Sequence, residues 1–159
     1  EVEFEKLIKI IAMKFEKIIE IKGVNFILDY DKSIFKILYI DRVRIEQVLM
    51  NLLGNAMKFT HQGDIVMKVI KITETETAQK IRFEVKDSGI GISKEKLNDI
   101  FEEFTQANET ITEKYGGTGL GLAISKKLVD KMGGKLNVES IVNKGSKFYF
   151  DLDIKKGKI

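Results

Sequence analysis

The sequence predicts a single α/β domain, a two-layer sandwich in which helices cover a partly antiparallel sheet. Three observations predict it. The chain has 159 residues, the size of one ordinary globular domain. Hydrophobic residues make up 43% and charged residues 32%, which is enough apolar material for one core and too much for a disordered chain. Stretches of helical period also alternate with short stretches of period two, the pattern of a layered fold.

In residues 2–22 the apolar side chains Val2, Phe4, Leu7, Ile8, Ile11, Phe15, Ile18 and Ile19 recur at helical spacing between charges, and Gly23 stops the helix. Residues 24–29 and 36–40 read as short strands joined through the polar turn Tyr30-Asp31-Lys32-Ser33. A second helix is predicted over 42–59, with Asp41 as N-cap and an end near His61-Gln62-Gly63. Its apolar side is Ile45, Val48, Leu49, Leu52, Ala56 and Phe59, and Gln47, Asn51, Asn55 and Lys58 form a separate stripe. Segments 65–72 and 80–87 alternate and should pair antiparallel across the polar link 73–79.

After 87 comes the turn Asp87-Ser88-Gly89-Ile90-Gly91 and then a short helix capped by Ser93. Residues 105–119 have no clear period and read as a mobile loop. A helix over 120–132, stopped by Gly133-Gly134, and strands over 135–139 and 147–153 close the chain. No internal repeat or interdomain linker interrupts it.

Composition excludes several function classes. Lys plus Arg number 27 against 24 for Asp plus Glu, a net charge of +3, so nothing suggests a nucleic-acid coat. With no cysteine there is no disulfide framework, thiolate metal site or cysteine nucleophile, and the single histidine, His61, excludes a multi-histidine metal site within this chain. No apolar run approaches the ~20 residues that span a bilayer. The chain starts at Glu1 without initiator methionine or signal sequence, so it is expected to be a fragment of a longer protein.

Three constellations carry chemistry. Asn51, Asn55 and Lys58 project from consecutive helical turns; an amide oxygen is a fitting ligand for Mg²⁺, and the lysine can neutralise a phosphate oxygen. Taken alone, the stripe suits a solvated polar face better. Asp87, at a strand end before two glycines, can accept a hydrogen bond from an exocyclic amine such as that of adenine, although an ordinary strand-to-helix turn has the same composition. Gly116-Gly117-Thr118-Gly119-Leu120-Gly121-Leu122 opens directly into a helix, where exposed N–H groups and the helix dipole favour a phosphate. It is neither a dinucleotide fingerprint, lacking the preceding strand, nor a P-loop, because Lys126 lies too far into the helix. Phe101 and Phe104 read as pins for the loop or as plain core aromatics, and His61 as a solvated or dipole-facing residue beyond a helix end.

In this order and spacing the elements resemble the catalytic and ATP-binding domain of sensor histidine kinases, part of the GHKL superfamily with gyrase and MutL. Asn51 to Thr60, NLLGNAMKFT, resembles the N box; DSGIGIS from Asp87 the first glycine box; FEEFTQ from Phe101 the F box; and GGTGLGLAIS from Gly116 the second glycine box. The ending, GGKLNVES followed by GSKFYFDL, is similar to the family's closing strands, and the resemblance covers about residues 24–154. It implies a mixed sheet of about five strands under about three helices, with an ATP lid.

By the same resemblance Asn55 coordinates Mg²⁺ with Asn51 in support, Lys58 contacts the phosphates and Asp87 the adenine amino group. Gly89 and Gly91 shape the base pocket. Gly117, Thr118, Gly119, Leu120 and Gly121 surround the phosphates, and Lys114 reaches the γ-phosphate from the lid. Water-activating ATPases of the superfamily carry a glutamate four residues before the Mg²⁺-binding asparagine. Here that position is Asn51, and an amide is no general base near neutral pH. Kinase is favoured over ATPase.

The implied partners are a histidine-bearing dimerisation domain and, downstream, a response-regulator receiver domain, in a cytoplasmic setting with no nucleic acid or membrane contact. Residues 1–22 resemble the helix that leaves the dimerisation domain, with 23–159 as the catalytic and ATP-binding domain. The acceptor histidine is expected to lie outside this chain, which should be monomeric, with an exposed apolar side on the first helix. Rival readings are a nucleotide-sensing or docking module that transfers nothing, a GHKL ATPase, and a related protein-serine kinase.

Overall fold

The computed structural model describes residues 1–19, 22–60, 62–91 and 120–158. Their elements run β1 (Val2–Glu3), α1 (Phe4–Ile19), β2 (Asn25–Tyr30), β3 (Ile37–Tyr39), α2 (Arg42–Phe59), β4 (Asp64–Glu74), β5 (Ala78–Asp87), α3 (Leu120–Lys131), β6 (Asn137–Ile141) and β7 (Gly145–Lys156). The strands form one open mixed sheet in the order β1-β3-β7-β5-β4-β2, with β6 also paired to β7. Among the described strands only β2 and β4 pair in parallel.

The expected β4–β5 pair is antiparallel, from Ile65 opposite Asp87 to Glu74 opposite Gln79. Among the described residues seven strands stand where about five were expected. One reason is that Val2–Glu3 pairs with β3 instead of opening the helix, and two residues are too short to show a period. The strands joined through Asp31 are not neighbours: β2 sits beside β4, and β3 lies between β1 and β7. Asp31 anchors that crossing, accepting from Ser33 N and Oγ at 2.9 and 2.6 Å and from Lys71 N at 3.0 Å, contacts that hold its carboxyl below the usual range.

Alternation along the strands puts one face of the sheet inside. Ile65, Met67 and Val69 of β4, Ile81, Phe83 and Val85 of β5, and Phe148, Phe150, Leu152 and Ile154 of β7 meet the buried sides of the three described helices. The apolar side of α1, expected to be exposed, is part of this core: Phe4, Ile8, Ile11 and Phe15 are buried, and Ile10, Met13 and Ile18 remain outside. A helix wall was needed over this part of the sheet, and α1 supplies it. Phe83 stacks on Phe150 at 4.9 Å and meets Phe4 edge-on at 6.0 Å, so one aromatic cluster ties α1, β5 and β7. On the outer face Arg82 grips Asp151 through two bonds of 2.8 and 3.0 Å and lies 5.1 Å over the Tyr149 ring.

Removing the Phe83 side chain should cost about 3–5 kcal/mol by leaving a cavity at that junction. Arg82→Ala should cost under about 1 kcal/mol, because its ion pair is partly exposed. Urea unfolding of both variants checks this, and the reverse ranking would contradict the account.

Candidate functional site

The site grows from α2. Asp41 caps the helix, its carboxylate accepting from Arg44 N at 3.1 Å as expected, and Phe59 ends it. Ile45, Val48, Leu49, Leu52, Leu53 and Ala56 are buried against the sheet and neighbouring helices. That orientation leaves Asn51, Asn55 and Lys58 half-buried on one side, whereas Gln47, first in the stripe, is exposed. Asn51 Nδ2 donates a long 3.4 Å bond to the buried Ser125 Oγ of α3. Ser125 lies in the second turn of α3, so the start of that helix, with its outward N–H groups, stands beside the stripe.

At the other end of α2 the chain turns extended at Thr60 and meets the turn after β5. Ile90 N donates to the Phe59 carbonyl at 3.1 Å, and Ser88 and Asp64 exchange bonds of 3.0 and 3.2 Å. Asp87 is 4% exposed, and its Oδ1 accepts from Gly89 N at 2.9 Å. Burial, the largest influence, pushes its carboxyl above the ordinary 3.8, against the Gly89 and Ser146 amides and the Thr60 hydroxyl, which favour the ionised form. The Thr60 Oγ1 is fully buried and faces Asp87, but among the described residues it makes no hydrogen bond of good geometry. A buried hydroxyl turned to a desolvated carboxylate without a well-formed bond is a polar pair suited to a ligand that both donates and accepts.

The glycines of this turn are steric requirements. A Cβ at position 89 would stand 2.1 Å from the Phe59 carbonyl oxygen. At Gly91, with φ of +71°, it would stand 2.1 Å from the Ile141 carbonyl oxygen. Backbone of this chain, on α2 and at the end of β6, occupies the space a side chain would take.

Asn55 is one helical turn before Phe59, so the stripe runs into the Asp87 cluster. Leu120 and Gly121 form the first turn of α3. Lys114, Gly117, Thr118 and Gly119 lie outside the described residues, as do Ser93, Phe101, Phe104 and His61. Sequence reasoning misses two buried polar residues, Thr60 and Ser125; both stand inside the N box and the second glycine box, but a lone hydroxyl carries no sequence signal of burial. Among the described residues no group of three or more His, Cys, Asp or Glu side chains could hold a metal. The oxygen donors at hand are amides, which suit a hard cation that also keeps water or phosphate ligands.

A family model described as histidine kinase-, DNA gyrase B- and HSP90-like ATPase matches residues 40–156. The chain belongs to this family. The chain is 48% identical over 110 residues to the sensor histidine kinase AruS of Pseudomonas aeruginosa, covering 69% of this chain and 11% of that one. It is 38% identical over 133 residues to the histidine-protein kinase BarA of Escherichia coli K12, covering 84% and 14%. It thus spans only about a tenth of the length of such relatives. Among solved structures, full-length ShkA in complex with AMPPNP superposes with a TM-score of 0.83 at 30% identity, covering 99% of this chain and 31% of that one. The nucleotide-free catalytic domain of histidine kinase ThkA superposes at 0.73 and 32% identity, covering 95% and 94%. The α/β sandwich and the resemblance read from the four motifs therefore stand. No described helix of the domain is long and apolar enough to cross a membrane.

Because the folded value of Asp87 lies above the unfolded one, the folded chain binds the extra proton between the two, and the contribution of Asp87 to stability falls as pH rises through that window. Asn at this position does not titrate. Raising the pH from below 3.8 towards neutrality should therefore move the stability difference in favour of Asp87→Asn, read from paired urea midpoints. A flat or opposite trend would remove the burial argument.

Proposed function

We propose that this domain binds Mg-ATP and positions the γ-phosphate for transfer to a histidine on the dimerisation domain of a longer sensor kinase. The observation that carries the reading is the buried Asp87 carboxylate beside the buried Thr60 hydroxyl, at the end of the helix that carries Asn55. Asp87 accepts from the adenine amino group, and Thr60 serves a ring nitrogen directly or through a water. Gly89 and Gly91 hold the turn against α2 and β6, keeping that pocket in shape. Lys58 neutralises phosphate charge. Gly117, Thr118, Gly119, Leu120 and Gly121 offer backbone N–H groups to the phosphates, with Lys114 as a γ-phosphate contact.

Asn55 holds Mg²⁺ through its amide oxygen, with Asn51 in support. When bound, the ion supplies charge neutralisation between phosphate oxygens. The chain's own residues contribute positioning and electrostatic stabilisation, which together account for most of the rate gain in phosphoryl transfer. Asn51 is the observation against a water-activating ATPase, since its amide takes no proton from water. Residues 1–22 lead in from the dimerisation domain while packing on the sheet, 23–159 form the catalytic and ATP-binding domain, and a receiver domain accepts the phosphoryl group downstream. The setting is cytoplasmic and the chain monomeric, with no role in binding nucleic acid or membrane.

The test is transfer in trans. Mixed with an acceptor-bearing dimerisation domain and labelled ATP, the wild-type chain should label the histidine, and Asn55→Ala should lower the rate by about 100-fold or more. An unlabelled histidine with ATP bound would favour the docking-module reading. A rate unchanged in Asn55→Ala would remove the Mg²⁺ assignment.

A further inference from the structure

α1 and β2 run side by side in opposite directions: Phe4 meets Tyr30 at 6.2 Å, and Phe15 meets Phe26 at 5.1 Å. A groove follows the seam between them. One stretch, about 840 Å³, lies between the first half of α1 and residues 30–36, with Ile10, Met13, Tyr30 and Ile34 as its apolar lining. A second, about 430 Å³, continues past Met13 to Ile19, Val24 and Phe26. Met13 belongs to both stretches and is 58% exposed, an apolar side chain in the middle of an open channel.

The strand beside this groove has an open edge. β2 is the last strand of the sheet among the described residues and pairs only with β4. Asn25 N donates to Gly63 O and Asp31 N to Val69 O, so residues 25, 27, 29 and 31 turn their backbone groups towards β4. Phe26, Leu28 and Tyr30 therefore turn theirs outward, where no described strand lies. Such a row of donors and acceptors is a template for another strand.

The rim is basic. Lys6, Lys9, Lys17, Lys32 and Lys36 line the two stretches against Glu3, Glu5 and Glu16. Glu5 is shared by Lys9 at 2.9 Å and by Lys32, and Glu3 contacts Lys6 at 3.8 Å, so positive charge is in surplus. A second copy of this chain would bring the same surplus to the same seam and be repelled.

We propose that this seam docks an acidic, extended segment of a partner protein, which adds as a strand to the open edge of β2. Its apolar side chains lie against Ile10 and Met13, and its carboxylates meet the lysine rim. Main-chain bonds supply affinity and the groove supplies selectivity, the division expected of strand addition. None of the residues lining the groove belongs to the Asp87 cluster.

The probe is a short peptide alternating glutamate with leucine, titrated into the isotope-labelled chain. Strand addition should shift the signals of Ile10 and Met13 and slow amide exchange at Phe26, Leu28 and Tyr30. The same peptide N-methylated on alternate residues should bind at least about tenfold more weakly, and so should the parent peptide to a Lys9→Glu, Lys36→Glu double variant. No binding, equal binding of the methylated peptide, or equal binding of a lysine-leucine peptide would each overturn the proposal. So would concentration-dependent dimerisation of the chain through β2, seen by sedimentation.

Discussion

Ile90 N donates to the Phe59 carbonyl at 3.1 Å, and the turn carrying it comes so close to α2 that a Cβ at position 89 would stand 2.1 Å from the same oxygen. This backbone-to-backbone contact joins the end of the sheet to the end of the helix, and the site depends on it. It holds Asp87 in the interior, turns Thr60 towards it and sets Asn55 one helical turn away. The C-terminal end of α2 is held a second time where the Lys22 ammonium donates to the Met57 carbonyl. That placement suits a cation at the negative end of a helix.

Burying a carboxylate has a cost that the turn offsets only in part. The Gly89 amide donates to Asp87 at 2.9 Å, but burial still pushes the carboxyl upward. A ligand that presented an N–H to Asp87 would supply what the protein leaves out, and the buried Thr60 hydroxyl beside it would offer a second point of recognition. Shape and charge thus act together: the glycines let the turn approach α2 and the end of β6 closely, and the desolvated carboxylate makes a donor at one position worth more than it is in water.

The elements were legible where a period ran long enough. The apolar sides of α1 and α2 and the alternation of β4 and β5 each predicted both type and bounds to within a few residues. Pairing was less legible. Nothing in residues 24–40 tells that β2 and β3 part company, because the decision belongs to β4, which takes β2 in parallel, and to β7, which takes β3. The site was legible as motifs, since asparagines at helical spacing and closely spaced glycines leave a local signature. The burial of Thr60 and Ser125 was not, because it follows from how α2, α3 and β5 meet. The same holds for α1, whose apolar side is read from its spacing but whose partner is a sheet assembled from distant residues.

The central claim is that the Asp87 cluster is the base pocket of an ATP site. Calorimetric titration of a non-hydrolysable ATP analogue, with and without Mg²⁺, into the wild-type chain and Asp87→Ala tests it most directly. The account predicts saturable binding by the wild type, strengthened by Mg²⁺, and its loss in a variant that unfolds cooperatively like the parent. Equal binding by the two proteins, or none by the wild type, would contradict it.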